Sequence, residues 1–218
     1  MKKKEEEQID ESWMATYGDM VTLLMCFFVL MMAVSKVDMA LYEQVQSGMN
    51  KGVGKEETPR PIEMMIMELT DEVQSLKVED NVSLGSDIQG VFVDIDGEML
   101  FKAGSAEITP KMKDFLKRVA ATLMSEKYKN FIFSVNGHTS DEEFSSYQYP
   151  SNWELSSARA SSVVRLFEER GMPRSRLKAS GMYDTAPKLP NTDPFGEAIP
   201  YNRRKNNRVT IYATPSFK

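Results

Sequence analysis

The sequence predicts a membrane-anchored α/β protein, a single N-terminal transmembrane helix joined to a sandwich of helices on a sheet. Three observations carry that class. Residues 13–35 form a nearly unbroken apolar run. Beyond residue 88, short stretches with apolar–polar alternation are separated by segments whose apolar residues recur three and four apart. Between the two parts lies "KGVGKEETPRP", residues 51–61, rich in Gly, Pro and charge as a linker is.

Composition narrows the function before any motif does. The chain has 218 residues, a formal net charge of −5, one histidine and one cysteine. Nucleic acid calls for a basic face that this balance does not supply, so no nucleic-acid partner is expected. Cys26 has no second cysteine to pair with and reads as a small apolar filler. His138 has no second His for a metal site, and no Ser–His–acid order supports a hydrolase. Its expected role is to orient its loop by hydrogen bonding. No enzyme activity, cofactor or resident metal is expected.

The apolar run is long enough to cross a bilayer. Met14 to Val34 would make roughly 32 Å of helix against a hydrocarbon core of about 30 Å. No small-x-small cleavage site follows Ala33, so the segment is expected to stay attached. Lys2, Lys3 and Lys4 precede it and only Lys36 follows closely, which favours a cytoplasmic N-terminus. Trp13 and Tyr17 suit the interfacial belt.

Asp19 is the anomaly in that run. An acid at mid-span costs about 2.5–3.5 kcal/mol on insertion scales, and less near an end. Intramembrane acids face partner helices and carry ions far more often than they idle. Gly18 leaves the helix surface open beside it, and Thr16 and Thr22 lie three residues to either side. A carboxylate with a neighbouring hydroxyl, Asp19 with Thr22, offers hard oxygen ligands for a cation, or a proton site.

The next elements follow in order. Residues 36–50 carry Val37, Leu41 and Val45 four apart, a short amphipathic helix that would rest on the bilayer. Residues 51–87 read as linker plus helix, with Ile62, Met65, Ile66, Leu69, Val73 and Leu76 on one stripe. The domain proper is expected at 88–218. "IQGVFVDIDGEMLF" reads as two strands about a turn at Asp-Gly, and "PKMKDFLKRVAATLMSE" as a helix opened by Pro110. "NFIFSVNG" reads as a buried strand. "SNWELSSARASSVVRLFEERG" is a helix with a Ser151–Glu154 capping box and a buried stripe of Leu155, Ala158, Val163 and Leu166. "RLKASGM" and "NNRVTIYA" close the sheet, and "NRRKNNR" reads as a solvated loop or a contact with anionic wall polymer.

Two resemblances sharpen this outline. Trp13, Tyr17, Asp19, Leu23, Leu24, Phe27, Phe28, Ser35 and Asp38 form a pattern that resembles the MotB/PomB family, the B subunits of flagellar stators. That likeness implies that Asp19 binds the translocated cation, Na+ or H+, inside a complex with an A-type membrane subunit. It also implies a plug at Asp38–Asn50 and a dimer. "FKAGSAEITP", "VNGHTS", "NWELSSARASSVVRLF", "GMPRSRLKASGM" and "NNRV" occur in an order that resembles the OmpA-like peptidoglycan-binding domain. In that family an Asp after Gly-His-Thr and the Arg of Leu-Ser-x-x-Arg-Ala grip the diaminopimelate of the stem peptide. Arg159 matches the Arg. The acid position holds Ser140, with Asp141 one residue later as the expected substitute. Thr139, Asn152, Leu155, Ser156 and Arg208 match positions that shape the groove.

Together the two halves imply a stator B subunit of the inner membrane. It would turn cation flow into torque on a rotor, acting through the A subunit, while a periplasmic domain grips peptidoglycan. Two alternatives share the layout: the B subunit of a related ion-driven rotary complex such as Zorya-type defence, and a passive membrane-tethered wall anchor.

Overall fold

The computed structural model describes residues 12–34, 61–142, 144 and 146–216, and the chain divides into two units at residue 37. The amphipathic segment 36–50 and the linker 51–60 lie outside the described residues.

The first unit is helix α1, Ser12–Val34. Leu, Met and Ala keep it helical without a Pro. Trp13–Ala33 is long and apolar enough to cross a membrane, and none of that window is buried against protein. Its side chains therefore need lipid or partner helices around them.

The second unit begins earlier than residue 88. Helix α2, Pro61–Ser75, buries Ile62, Met65, Leu69 and Val73 in the same core as the sheet. Strand β1, Val82–Asp87, pairs antiparallel with β2, Gly90–Asp96. The hairpin turn is thus at 87–90, where the Asp87 carboxylate accepts the Gln89 N–H at 2.7 Å. Gly90 has φ 132°, and a Cβ there would meet the Ala213 carbonyl oxygen at 2.2 Å. The expected turn at Asp96–Gly97 is instead the start of a one-turn helix α3, Gly97–Leu100. No strand follows it beyond a single bridge between Phe101 and Ile108.

The remaining elements are α4, Pro110–Leu123, β3, Phe131–His138, α5, Asn152–Glu169, β4, Leu177–Tyr183, α6, Pro200–Asn206, and β5, Arg208–Pro215. The sheet order is β1-β2-β5-β3-β4. Only β3 and β4 run parallel, joined by α5 in a βαβ crossover. Period-two alternation sends Val91, Val93 and Ile95, then Phe131, Phe133 and Val135, then Val209, Ile211 and Ala213, to one face. There they meet Phe115, Leu116, Val163 and Phe167 from the helices. The predicted helices-on-one-sheet sandwich is what forms. On α5 the innermost small residue is Ala160, while Ala158 is only half-buried. "NRRKNNR" is no solvated loop: it forms most of α6 and the start of β5, with Lys205 Nζ 2.9 Å from Asp96.

Candidate functional site

A cleft of about 560 Å³ opens where α3, the loop after β3 and the first turns of α5 converge. Local sequence sets each wall. The Ser151 capping box is formed, with the Ser151 N–H donating to Glu154 at 2.9 Å and the Trp153 N–H to Ser151 Oγ at 3.2 Å. That fixes where α5 starts and so where Asn152, Leu155 and Arg159 project. Asn152 Nδ2 donates to the Glu142 carbonyl at 2.7 Å, holding the loop against the helix. Gly137 lets the end of β3 touch α5, since a Cβ there would lie 2.1 Å from the Ser156 carbonyl oxygen.

Arg159 dominates the cleft. It is 8% exposed, its guanidinium stacks 5.2 Å from the Phe101 ring, and its Nε donates to the Ser105 carbonyl at 3.1 Å. Among the described residues no carboxylate pairs with it. Burial pulls its pKa below the usual arginine value, so the site strains against the charge it holds. Thr139 also lines the cleft, 3% exposed, with an Oγ1 that finds no hydrogen-bond partner among the described residues. A buried cation and an orphaned hydroxyl in one concavity are a receptor for an anionic, hydrogen-bonding group.

The other expected site residues divide. Asn152 and Leu155 line the cleft with Thr139 and Arg159. Ser156 is fully buried behind it, and its hydroxyl donates to the Trp153 carbonyl at 3.1 Å. Arg208 lies elsewhere. Its Nη2 donates to the Ala186 carbonyl at 3.1 Å and its Nε stands 3.7 Å from Asp94, tying the segment before α6 to the sheet. Asp141, the expected acid, does not line the cleft. Its carboxylate takes a 2.8 Å hydrogen bond from Arg203 of α6, outside the cleft lining. The acids that line the cleft are Glu98 and Glu142, both exposed. Sequence reasoning passed over Glu142, which stands two residues beyond the motif position and reaches the cleft wall only through the path of the loop.

His138 is 5% exposed and its Nδ1 has no partner among the described residues, so it does not steer the loop by that nitrogen. Burial first, then the nearby Arg208 charge, lowers its pKa to about 4. Among the described residues no group of three or more metal-ligating side chains occurs.

In α1, Asp19 is exposed on the helix surface and the Thr22 hydroxyl donates to the Asp19 carbonyl oxygen at 2.8 Å. That bond occupies the Thr22 proton and leaves its oxygen lone pairs available beside the carboxylate.

Comparison with known proteins agrees at both ends. Residues 1–53 match the family model described as membrane MotB of the proton-channel complex MotA/MotB. Residues 100–213 match the OmpA family. The chain is a MotB-like OmpA-domain protein. It is 32% identical to the uncharacterized protein YtxE of Bacillus subtilis, over 90% of this chain and 87% of that one. It is 24% identical to motility protein B of the same organism, over 98% and 94%. The crystal structure of the periplasmic domain of Helicobacter pylori MotB superposes with a TM-score of 0.55 at 25% identity, covering 65% of this chain and 83% of that one. The MotB-like part thus spans Asp19, and the OmpA match spans every residue of the cleft wall except Gly97 and Glu98.

Proposed function

We propose that this protein is the B subunit of a flagellar stator. It lies in the bacterial inner membrane as a single-pass protein with its N-terminus in the cytoplasm and its folded domain in the periplasm. Asp19 binds and releases the coupling cation, Na+ or H+, within a complex of A-type subunits and a second copy of this chain. One charge falling through about 150 mV releases roughly 3.5 kcal/mol, enough for a conformational step that the A subunits pass to the rotor.

The observation that carries this reading is the union, on one chain, of an acid-bearing apolar helix with a cleft built round a buried guanidinium that no carboxylate pairs among the described residues. Ion flow yields torque only where part of the machine is held still. The cleft supplies the hold: Arg159 takes a carboxylate of the peptidoglycan stem peptide and Thr139 completes it. Glu142, with Glu98, faces the ammonium end of the same amino acid.

The test is swimming speed against external sodium at fixed pH, in cells whose only stator B chain is this one. Asp19→Asn is expected to abolish swimming. A sodium-dependent speed identifies Na+ as the coupling ion, and a speed indifferent to sodium identifies H+. Swimming that survives Asp19→Asn would sink the stator reading and favour a passive wall anchor or a different load.

A further inference from the structure

Next to the cleft, an exposed tryptophan packs on a half-buried tyrosine. Trp153 is 48% exposed although it lies in the first turn of α5, and its ring centroid is 5.5 Å from that of Tyr183 at an interplanar angle of 43°. Core packing does not account for that exposure. Nor does the backbone under Tyr183 come free. Its φ is 49°, a left-handed conformation that bulky side chains avoid, and the β3–β4 register slips beside it at Gly137–His138. Strain and bulges of this kind gather at binding sites, where they aim a side chain that regular strand geometry would not.

The pair is also wired to the cleft. The Thr139 N–H donates to the Tyr183 carbonyl at 2.9 Å, and Thr139 lines the cleft. Ser156 joins the two residues through their backbones: its hydroxyl donates to the Trp153 carbonyl at 3.1 Å and accepts the Tyr183 N–H at 3.4 Å. Asn152, the neighbour of Trp153, is itself a cleft residue. Cleft and aromatic pair are therefore one hydrogen-bonded frame with two faces.

We propose that Trp153 and Tyr183 form a stacking platform for a pyranose ring of the peptidoglycan glycan strand, beside the cleft that takes the peptide. The platform rests on the wall-binding reading given above, because a stem peptide held at Arg159 brings its own sugar with it. A pyranose presents a face of C–H groups. An indole face carries the complementary negative quadrupole and desolvates at little cost in side-chain freedom. The platform explains why a buried serine underlies the site: Ser156 ties together the two backbones that carry the rings.

The experiment compares two probes on the full-length chain in detergent: a disaccharide-linked stem peptide, and the same peptide freed of sugar. The unaltered chain should bind the sugar-linked probe more tightly, with a change in tryptophan fluorescence. Trp153→Ala should weaken that probe by about five- to tenfold, the size of a lost aromatic contact, while leaving the free peptide within about twofold. Trp153→Phe, which keeps a ring, should recover most of the affinity, and an unchanged melting temperature for Trp153→Ala shows that the fold is intact. Equal affinity for both probes, or an equal loss of both in Trp153→Ala, overturns the platform while the cleft keeps its peptide. Binding of neither probe overturns the platform and the wall-binding reading together.

Discussion

Arg159 and Arg176 show how the same side chain is built for opposite ends. Arg176 donates to the carbonyls of Phe131, Leu123 and Tyr128, so its charge is spent stapling α4 to β3. Arg159, more deeply buried, has one carbonyl and no acid among the described residues. His138 is another buried base, neutral at neutral pH because its pKa is lowered to about 4 from an ordinary 6.5. Between those values the unfolded chain binds the proton more readily than the folded one. Stability attributable to His138 is therefore full above about pH 6.5 and falls as the pH drops towards 4, by about 3 kcal/mol. Denaturant unfolding of the detergent-solubilised chain should show this slope, and His138→Gln should flatten it. Of the cleft, Arg159, Thr139, Asn152 and Leu155 were legible because each stands at a fixed place in a motif. The acid was not. Asp141 is withdrawn by Arg203, 62 residues away in sequence, a pairing that no local pattern announces.

At the scale of elements, α2 and β1 decide where the folded unit starts. Four apolar side chains of α2 reach the core, and Glu68 fastens it further by accepting from Lys127 at 2.7 Å and from the Tyr128 hydroxyl at 2.9 Å. The Lys127 hydrogen bond holds the Glu68 carboxyl below its usual range, and its loss on acidification loosens α2. A fragment beginning at residue 61 is expected to melt cooperatively. One beginning at residue 88, lacking α2 and the edge strand, should expose Val93, Leu116 and Val119 and aggregate; an equally sharp melt for both would refute this assignment. Helices α1, α2, α4 and α5 were readable from their apolar patterns, Pro110 and the capping box, while the short α3 and α6 were not. β1 was not, because "VSLGSD" is poor in β-formers and gains its place only by pairing with β2. The misplaced turn has the same source: Asp96-Gly97 is a strong hairpin signal locally, yet the Gly97 N–H is committed to the Asn207 carbonyl at 2.8 Å, which starts α3 instead.

For the whole molecule, the proposed anchoring and ion-carrying parts should be separable by mutation. Arg159→Met is expected to abolish co-sedimentation with purified peptidoglycan and to abolish swimming, while the chain still inserts in the membrane. Because it removes a buried charge that no described acid compensates, it should also raise unfolding free energy by about 1 kcal/mol. Asp19→Asn should leave co-sedimentation untouched. A chain that swims with Arg159→Met would break the link between wall grip and torque. The sequence made this two-part logic visible at once, since span, linker and domain differ so sharply in composition.

The division of the cleft between a helix and a loop has an evolutionary consequence. Arg159 is placed by a capped helix whose neighbours also build the core and the aromatic pair, so most changes around it damage several things together. Glu142 is placed by a loop fastened at three points: the Glu142 carbonyl, the Ser140 N–H, which donates to Asn207 Oδ1 at 3.0 Å, and the Asp141 carboxylate, which accepts from Arg203 at 2.8 Å. No described hydrogen bond uses the Glu142 carboxylate, so the loop keeps its path whatever that side chain is. Under the proposed wall-binding reading, changes at residue 142 would then alter the cationic end of the ligand that the cleft accepts, while the guanidinium of Arg159 kept its place on the helix.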